Sequence, residues 1–268
     1  MTGTGTQADP YIVDNWEDFI GISSKSDIYV RWADSDNKVI DFNEVNPQGY
    51  TKSITFPANV DFNGWTLRNF HSTASTAIKY GSGASYAIKN LIFENFYIMS
   101  NTFIYGQYII ENCTFSGLIQ CDTVRVFQGC GLVCSAVNIR INTTNSTYLT
   151  NSNDFVNSKS EIRNSDIVLD IHGGNTVEIC DKTITNSRIS GKISATTPVK
   201  ISNSSCLFNI INLESNQPLK YTSSGISVYN SDLAEKSSDS ASSFKACTSE
   251  QLKNAEYLYN IGFPIGIE

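Results

Sequence analysis

Charge is scarce in this 268-residue chain: Asp, Glu, Lys and Arg make up 17%, with a formal net charge of -7. Without a Lys/Arg cluster to face phosphates, nucleic acid is excluded as a partner class. Ala, Leu, Glu and Lys are too sparse for a helical repeat. No apolar run is long enough to span a bilayer, so membrane insertion is not expected. Histidine occurs only at His71 and His172, and no Gly-x-Ser-x-Gly elbow is present to suggest a triad. Gly81-Ser-Gly83 lacks the Lys and helix of a phosphate loop. The seven cysteines (113, 121, 130, 134, 180, 206, 247) form an odd set without CxxC spacing. They read as reduced core filler, with Cys130 and Cys134 alone near enough in sequence to share a disulfide or metal. No cofactor and no metal is implied.

What the chain does have is a degenerate phrase: apolar, any residue, Asn, then Ser or Cys, any residue, apolar. Copies run Ile88-Lys-Asn90-Leu-Ile-Phe93, Ile110-Glu-Asn112-Cys-Thr-Phe115, Ile162-Arg-Asn164-Ser-Asp-Ile167, Ile184-Thr-Asn186-Ser-Arg-Ile189, Ile201-Ser-Asn203-Ser-Ser-Cys206 and Val228-Tyr-Asn230-Ser-Asp-Leu233. Two looser copies are Leu67-Arg-Asn69-Phe70 and Phe127-Gln-Gly129-Cys130-Gly-Leu132. Steps of 21, 22, 17, 35, 22, 17 and 27 residues between the Asn (or Gly129) positions suit solenoid coils with variable loops. The long step predicts either an insertion through Asn142 to Asn153 or a degraded extra coil through Phe155-Val-Asn157-Ser158.

Apolar positions alternating on both sides of one Asn describe two short strands meeting at a sharp bend. Asn and Gly tolerate the left-handed backbone such a bend needs, so Gly129 in the Asn slot is consistent. Stacked coils would put Asn69, Asn90, Asn112, Gly129, Asn164, Asn186, Asn203 and Asn230 in one column. Amides about 4.8 Å apart there could donate to one another and satisfy otherwise buried polar groups.

On this pattern the chain resembles right-handed parallel β-helix proteins of the pectate-lyase-like superfamily, over roughly residues 50 to 235. The opening Gly3-Thr-Gly5-Thr-x-x-Asp9-Pro10-Tyr11-Ile12, followed by Trp16-Glu-Asp-Phe19, is similar to the opening segment of bacteriophage virion proteins of this fold. The fold class expected is therefore all-β, a right-handed parallel β-helix with short capping helices at both ends. Residues 1–50 form the N-terminal cap helix and first strands, 51–235 the coils, and 236–268 a loop, a capping helix and an apolar tail.

An open β-helix exposes edge strands, so its ends should be covered. Asp14 is placed to cap a helix carrying Trp16, Phe19 and Ile20, with Glu17 in a capping box. Strands are expected at Ile28 to Trp32, Val39 to Phe42 and Ile54 to Phe56, with a tight turn at Asn63-Gly64. Thr248 with Gln251 should open a second helix holding Leu252, Ala255, Tyr257 and Leu258. The apolar tail makes Phe263, Pro264, Ile265 and Ile267 candidates for an assembly contact.

Carbohydrate-active β-helices place carboxylates outward, as an acid/base pair or around calcium. Asp166, Asp170, His172 and Asp181, with Glu178, Arg163, Lys182 and Arg188 nearby, are the weak catalytic candidates. Only Ile171-His172-Gly173-Gly174 resembles a fragment of the polygalacturonase set, and no Asp-Asp dipeptide occurs. Tyr97, Tyr105 and Tyr108 either stack inside the coils or line a sugar groove. Asn142 to Asn153 is a candidate projecting loop. The start of the chain lacks the basic and apolar regions of a Sec signal, predicting synthesis in a cytoplasm and residence in a virion. The expected role is a non-enzymatic structural component of a phage particle (tail, baseplate, fibre or capsid surface) acting in assembly or host-surface contact. Other virion proteins, further copies in a homotrimer and a host-surface glycan are its expected partners. A tailspike-type polysaccharide depolymerase and a bacterial surface adhesin are the alternatives.

Overall fold

The computed structural model describes residues 1–22, 27–80, 86–151, 161–180, 183–204, 209–217, 219–223, 227–230, 244–248, 250–251, 254 and 256. The chain winds through about seven turns of a right-handed parallel β-helix. Each turn visits three parallel sheets in the same order. One complete turn shows the pattern: Tyr108–Glu111 lies in sheet 1, Thr114–Gln120 in sheet 2 and Thr123–Gln128 in sheet 3. Among the described residues, sheets 1 and 3 have eight strands each, and sheet 2 has eleven.

The apolar residue that opens four of the repeat phrases, at Ile88, Ile110, Ile162 and Ile184, falls in one inward column. In sheet 1, Val30, Val60, Ile88, Ile110, Leu132, Ile162 and Ile184 lie in register, one per turn, and all are buried. Each contributes about 1.5–3 kcal/mol of apolar burial, and a slip of one residue would turn the whole column out to water.

The bend after sheet 1 is left-handed at Asn90, Asn112, Asn164 and Asn186, with φ between 47° and 55°. Between Asn112 and Asn164 this corner is held by Cys134 at φ 49°. Gly129 is also left-handed, at φ 80°, but it follows Thr123–Gln128 at the corner between sheets 3 and 1. Asn69 lies within sheet 2, between Thr66–Arg68 and His71–Ser72. Asn203 stands in a sheet 3 strand and Asn230 at the end of a sheet 2 strand. The single column read from the sequence is therefore four asparagines and a cysteine. The other positions matched because an apolar-x-Asn phrase also arises wherever a strand carries Asn beside alternating residues.

Re-phasing the corner leaves a single irregular step. From 90 through 112 and 134 the step is 22 residues, then 30 to 164 and 22 to 186. No coil intervenes in the long step, because Leu132 pairs directly with Ile162 and Val133 with Arg163. Nor is the described part of Asn142 to Asn153 an inserted loop: Asn142 ends one strand and Ser146–Asn151 forms the next, paired on both sides. The added length falls at 152–160, outside the described residues, as does Phe155 to Ser158.

The amides do form ladders: among the described residues there are two, both near the N-terminal end. At the corner, Asn112 Nδ2 donates to Asn90 Oδ1 and Asn90 Nδ2 to Asp61 Oδ1, each at 2.7 Å. Within sheet 2, Asn95 Nδ2 donates to Asn69 Oδ1, and Asn69 Nδ2 to Asp41 Oδ1 at 2.8 Å. Each ladder ends on an aspartate, a pure acceptor with no N–H of its own that would need an acceptor above it. That carboxylate also accepts a backbone N–H two residues on, from Asn43 or Asn63.

These amides lie on the solvent side, and the buried ladder is built by the residue after Asn. Cys113 N–H donates to Ser135 Oγ, Ser135 N–H to Ser165 Oγ and Ser165 N–H to Ser187 Oγ, at 3.1–3.2 Å. Each serine hydroxyl donates at 2.9 Å to the carbonyl two residues before it. All four side chains are buried, so these bonds satisfy backbone groups that water cannot reach. The recurring Ser or Cys thus carries the role assigned above to Asn. Burial pushes the Cys113 and Cys130 thiols up to about 12, which leaves them unreactive packing groups. Cys130 and Cys134 are free thiols at different corners, one buried and one exposed.

Asn90→Ala should cost about 1–2 kcal/mol in a urea titration, because alanine disfavours a left-handed backbone and both ladder bonds go. Asn90→Gly keeps the conformation and should cost less. Equal losses would show that the backbone angle is not what the position selects.

The N-terminal helix, Trp16–Ile22, plugs the first turn with Trp16, Phe19 and Ile22. Phe19 meets Trp32, Phe56 and Phe62 at centroid distances of 5.3–5.6 Å. Its cap is Asn15 and not Asp14: Asn15 Oδ1 accepts from Asp18 N–H at 2.8 Å. The opening segment feeds sheet 1. Backbone N–H groups of Thr4, Gly5 and Thr6 converge on the Asp9 carbonyl, and Gly5 O accepts from Tyr29 N–H. Asn63-Gly64 is left-handed at both positions, as in a type I′ turn. At the other end, Thr248 N–H donates to Gln251 Oε1 and Gln251 N–H to Thr248 Oγ1, a reciprocal capping box. Leu252, Ala255, Tyr257, Leu258 and the tail residues Phe263, Pro264, Ile265 and Ile267 lie outside the described residues.

Candidate functional site

Outward positions of sheet 2 line up by turn because its parallel strands are in register. One column runs His71, Tyr97, Leu118, Arg140, Asp170, Lys192, Glu214. Its first half is aromatic and apolar, its second half charged with alternating sign. The ring of His71 stacks on that of Tyr97 at 5.2 Å. Arg140 Nε donates to Asp170 Oδ2 at 2.9 Å, His172 Nε2 lies 2.9 Å from Asp170 Oδ1, and Lys192 pairs with Glu214 at 3.2 Å.

A β-bulge shapes the face beside this column. Glu94 and Asn95 together oppose Ser116, since Phe93 pairs with Phe115 and Phe96 with Gly117. Asn95 takes φ 51°, and Phe96 turns into the core. Next to the bulge lies an open depression of about 690 Å³, lined among others by Glu94, Tyr97, Leu118, Asn138, Arg140 and Asp170. A second, of about 360 Å³, lies beyond Asp170, between His172, Lys192, Glu214 and Asn216. The Arg140–Asp170–His172 cluster separates the two.

Of the catalytic candidates, Asp170 and His172 come together and Asp166 does not join them. Asp166 lies four residues up the same strand, about 13 Å away at 3.3 Å per residue, beside Arg188 in the next turn. Glu178 belongs to a sheet 3 strand and Arg163 to sheet 1. Asp181 and Lys182 lie outside the described residues. Glu94 is the other carboxylate of the larger depression, three strands from Asp170, or about 14 Å at 4.8 Å per strand. Neither separation fits the roughly 5–9.5 Å between the paired carboxyls of a glycosidase.

Partial burial opposes ionisation of Asp170, but the hydrogen bonds and charges of Arg140 and His172 outweigh it and hold its carboxyl below the usual range. A general acid needs the opposite shift. The folded pKa lies below the unfolded one, so the pair's stabilisation is complete above pH 3.8 and lost as pH falls through the folded value. Asp170→Asn should therefore lower stability at neutral pH by no more than about 1 kcal/mol for a pair this exposed, read as a slightly lower melting temperature. Thermal melts below pH 3.8 should show that gap closing.

The three tyrosines read together in the sequence part company. Tyr97 is on the outer face of sheet 2, Tyr105 ends a sheet 3 strand, and Tyr108 is buried with its hydroxyl donating to Phe56 O at 3.3 Å. Among the described residues, no three His, Cys, Asp or Glu side chains converge as metal ligands, and no helix is long and apolar enough to cross a membrane. No family model, curated protein or solved structure matches this chain.

Proposed function

We propose that this chain is a non-enzymatic structural component of a bacteriophage particle, a rigid rod whose sheet 2 face contacts a surface outside the particle. One observation carries the non-enzymatic half: Asp170 is neutralised by Arg140 and His172 and Glu214 by Lys192 in neighbouring turns, while Glu94 and Asp166 stand farther from Asp170 than the paired carboxyls of a glycosidase. Support for the particle rests on the likeness of the opening segment, Gly3 to Phe19, to virion proteins. Other virion proteins and further copies of the chain, as in a trimer, are the partners this reading calls for. Mass spectrometry of purified particles tests it: the chain should be present in fixed proportion to the capsid protein. Recovery only from particle-free fractions would reject the proposal.

The depressions on sheet 2 favour one second reading, a tailspike-type depolymerase. It requires release of reducing ends from a host glycan, abolished by Asp170→Ala.

A further inference from the structure

We propose that the outer face of sheet 2 binds an extended, uncharged oligosaccharide lying along the helix axis, with Tyr97 as its stacking platform and Arg140–Asp170 as its hydroxyl clamp. The inference deepens the surface-contact reading above and rests on it.

Shape comes first. The two depressions lie on one face, end to end across strands from Ile92–Ile98 to Asn209–Ser215. Five strand steps of about 4.8 Å give a track of roughly 24 Å, which suits a linear chain better than a compact metabolite.

The chemistry of the lining selects the ligand. These strands lie inside sheet 2, and their backbone N–H and C=O groups are already paired to neighbours on both sides. A peptide therefore cannot add as a further strand. Recognition must come from side chains, and those present are a half-buried aromatic ring followed by planar polar groups. Tyr97, backed by His71, offers a ring held in place, suited to the apolar face of a pyranose. Arg140 and Asp170 present a donor and an acceptor side by side, 63% and 32% exposed, and Asn138 and Glu94 add more of each. Such a set matches vicinal hydroxyls, which both donate and accept. Charge argues against a polyanion: Glu94 and Asp170 against Arg140 leave the larger depression negative, on a chain of net charge -7.

Saturation-transfer NMR on the full chain with cellotetraose, maltotetraose and N-acetylated chitotetraose tests the proposal, with tetragalacturonate as the charged comparison. At least one uncharged tetrasaccharide should bind. Tyr97→Ala and Arg140→Ala should each weaken it about tenfold, and Tyr97→Leu, which keeps an apolar cover over the strand, should do the same without loss of stability. Glu111→Gln, on sheet 1, should leave binding unchanged. No transfer to any of the three, binding indifferent to the Tyr97 and Arg140 substitutions, or preference for tetragalacturonate would each overturn it. Presence of the chain in particles together with any of those results would leave the virion reading standing and remove only the glycan.

Discussion

Gly191→Ala is expected to abolish folding, or to lower the urea midpoint by the equivalent of more than about 4 kcal/mol. Gly191 has φ +120°, and a methyl group there would sit 1.9 Å from the carbonyl oxygen of Leu169 in the preceding turn. The obstacle is backbone, so no rotamer relieves it. Its strand, Arg188–Ser194, is paired with Asp166–His172 on one side and Asn209–Ser215 on the other. Moving it would break both ladders. Gly64→Ala is the matched control: φ is +79°, but nothing lies within 4 Å of the added carbon. It should cost only the left-handed strain of about 1–2 kcal/mol. Equal losses at the two glycines would mean that close approach between turns is not what fixes Gly191.

The contrast between these glycines bears on how much could be read from the sequence. The inward apolar column and the left-handed corner were legible, because Ile88, Ile110, Ile162 and Ile184 and the Asn two places later repeat along the chain. Assigning the buried hydrogen bonds to Asn failed because the phrase shows two polar neighbours, Asn164-Ser165 for example, without showing which faces inward. At a left-handed corner the chain turns through Asn, leaving its side chain outside and swinging the next residue in. Gly129 misled for a related reason: every turn has three corners, and a lone glycine does not say which one it occupies.

Charge columns were present but hidden. Arg31, Asp61, Lys89 and Glu111 succeed one another in register on the outside of sheet 1, with Lys89 and Glu111 2.7 Å apart. Lys89 and Glu111 occupy the slot treated as "any residue", and their alternation becomes visible once the turns are aligned. The sheet 2 groove had a fainter signal. Phe93 and Phe96 are both buried at a spacing of three where a strand demands two, which marks the bulge at Asn95. Tyr97, Leu118, Arg140 and Asp170 come from four turns and only the fold assembles them.

Phe103→Ala should cost about 3–5 kcal/mol. Phe103 is fully buried, with ring centroids of Phe93, Phe96, Phe115 and Phe127 at 4.6–6.1 Å. The rings come from two successive turns, tied to each other by parallel ladders. Those ladders prevent the turns from closing on the cavity, so the lost contacts are not regained. Position in the stack matters as well. The first turns are filled by Trp16, Phe19, Trp32, Phe42 and Phe56, while later ones use Ile167, Leu169, Ile171 and Ile179. In a solenoid each turn touches only its neighbours, so Phe103 joins the capped aromatic end to the aliphatic turns beyond it. Hydrogen exchange should therefore show Phe103→Ala loosening amides of Ile92–Ile98 and Thr123–Gln128 while those of Arg188–Ser194 keep their protection. Uniform loss along the whole chain would show instead that the turns unfold as a single cooperative block.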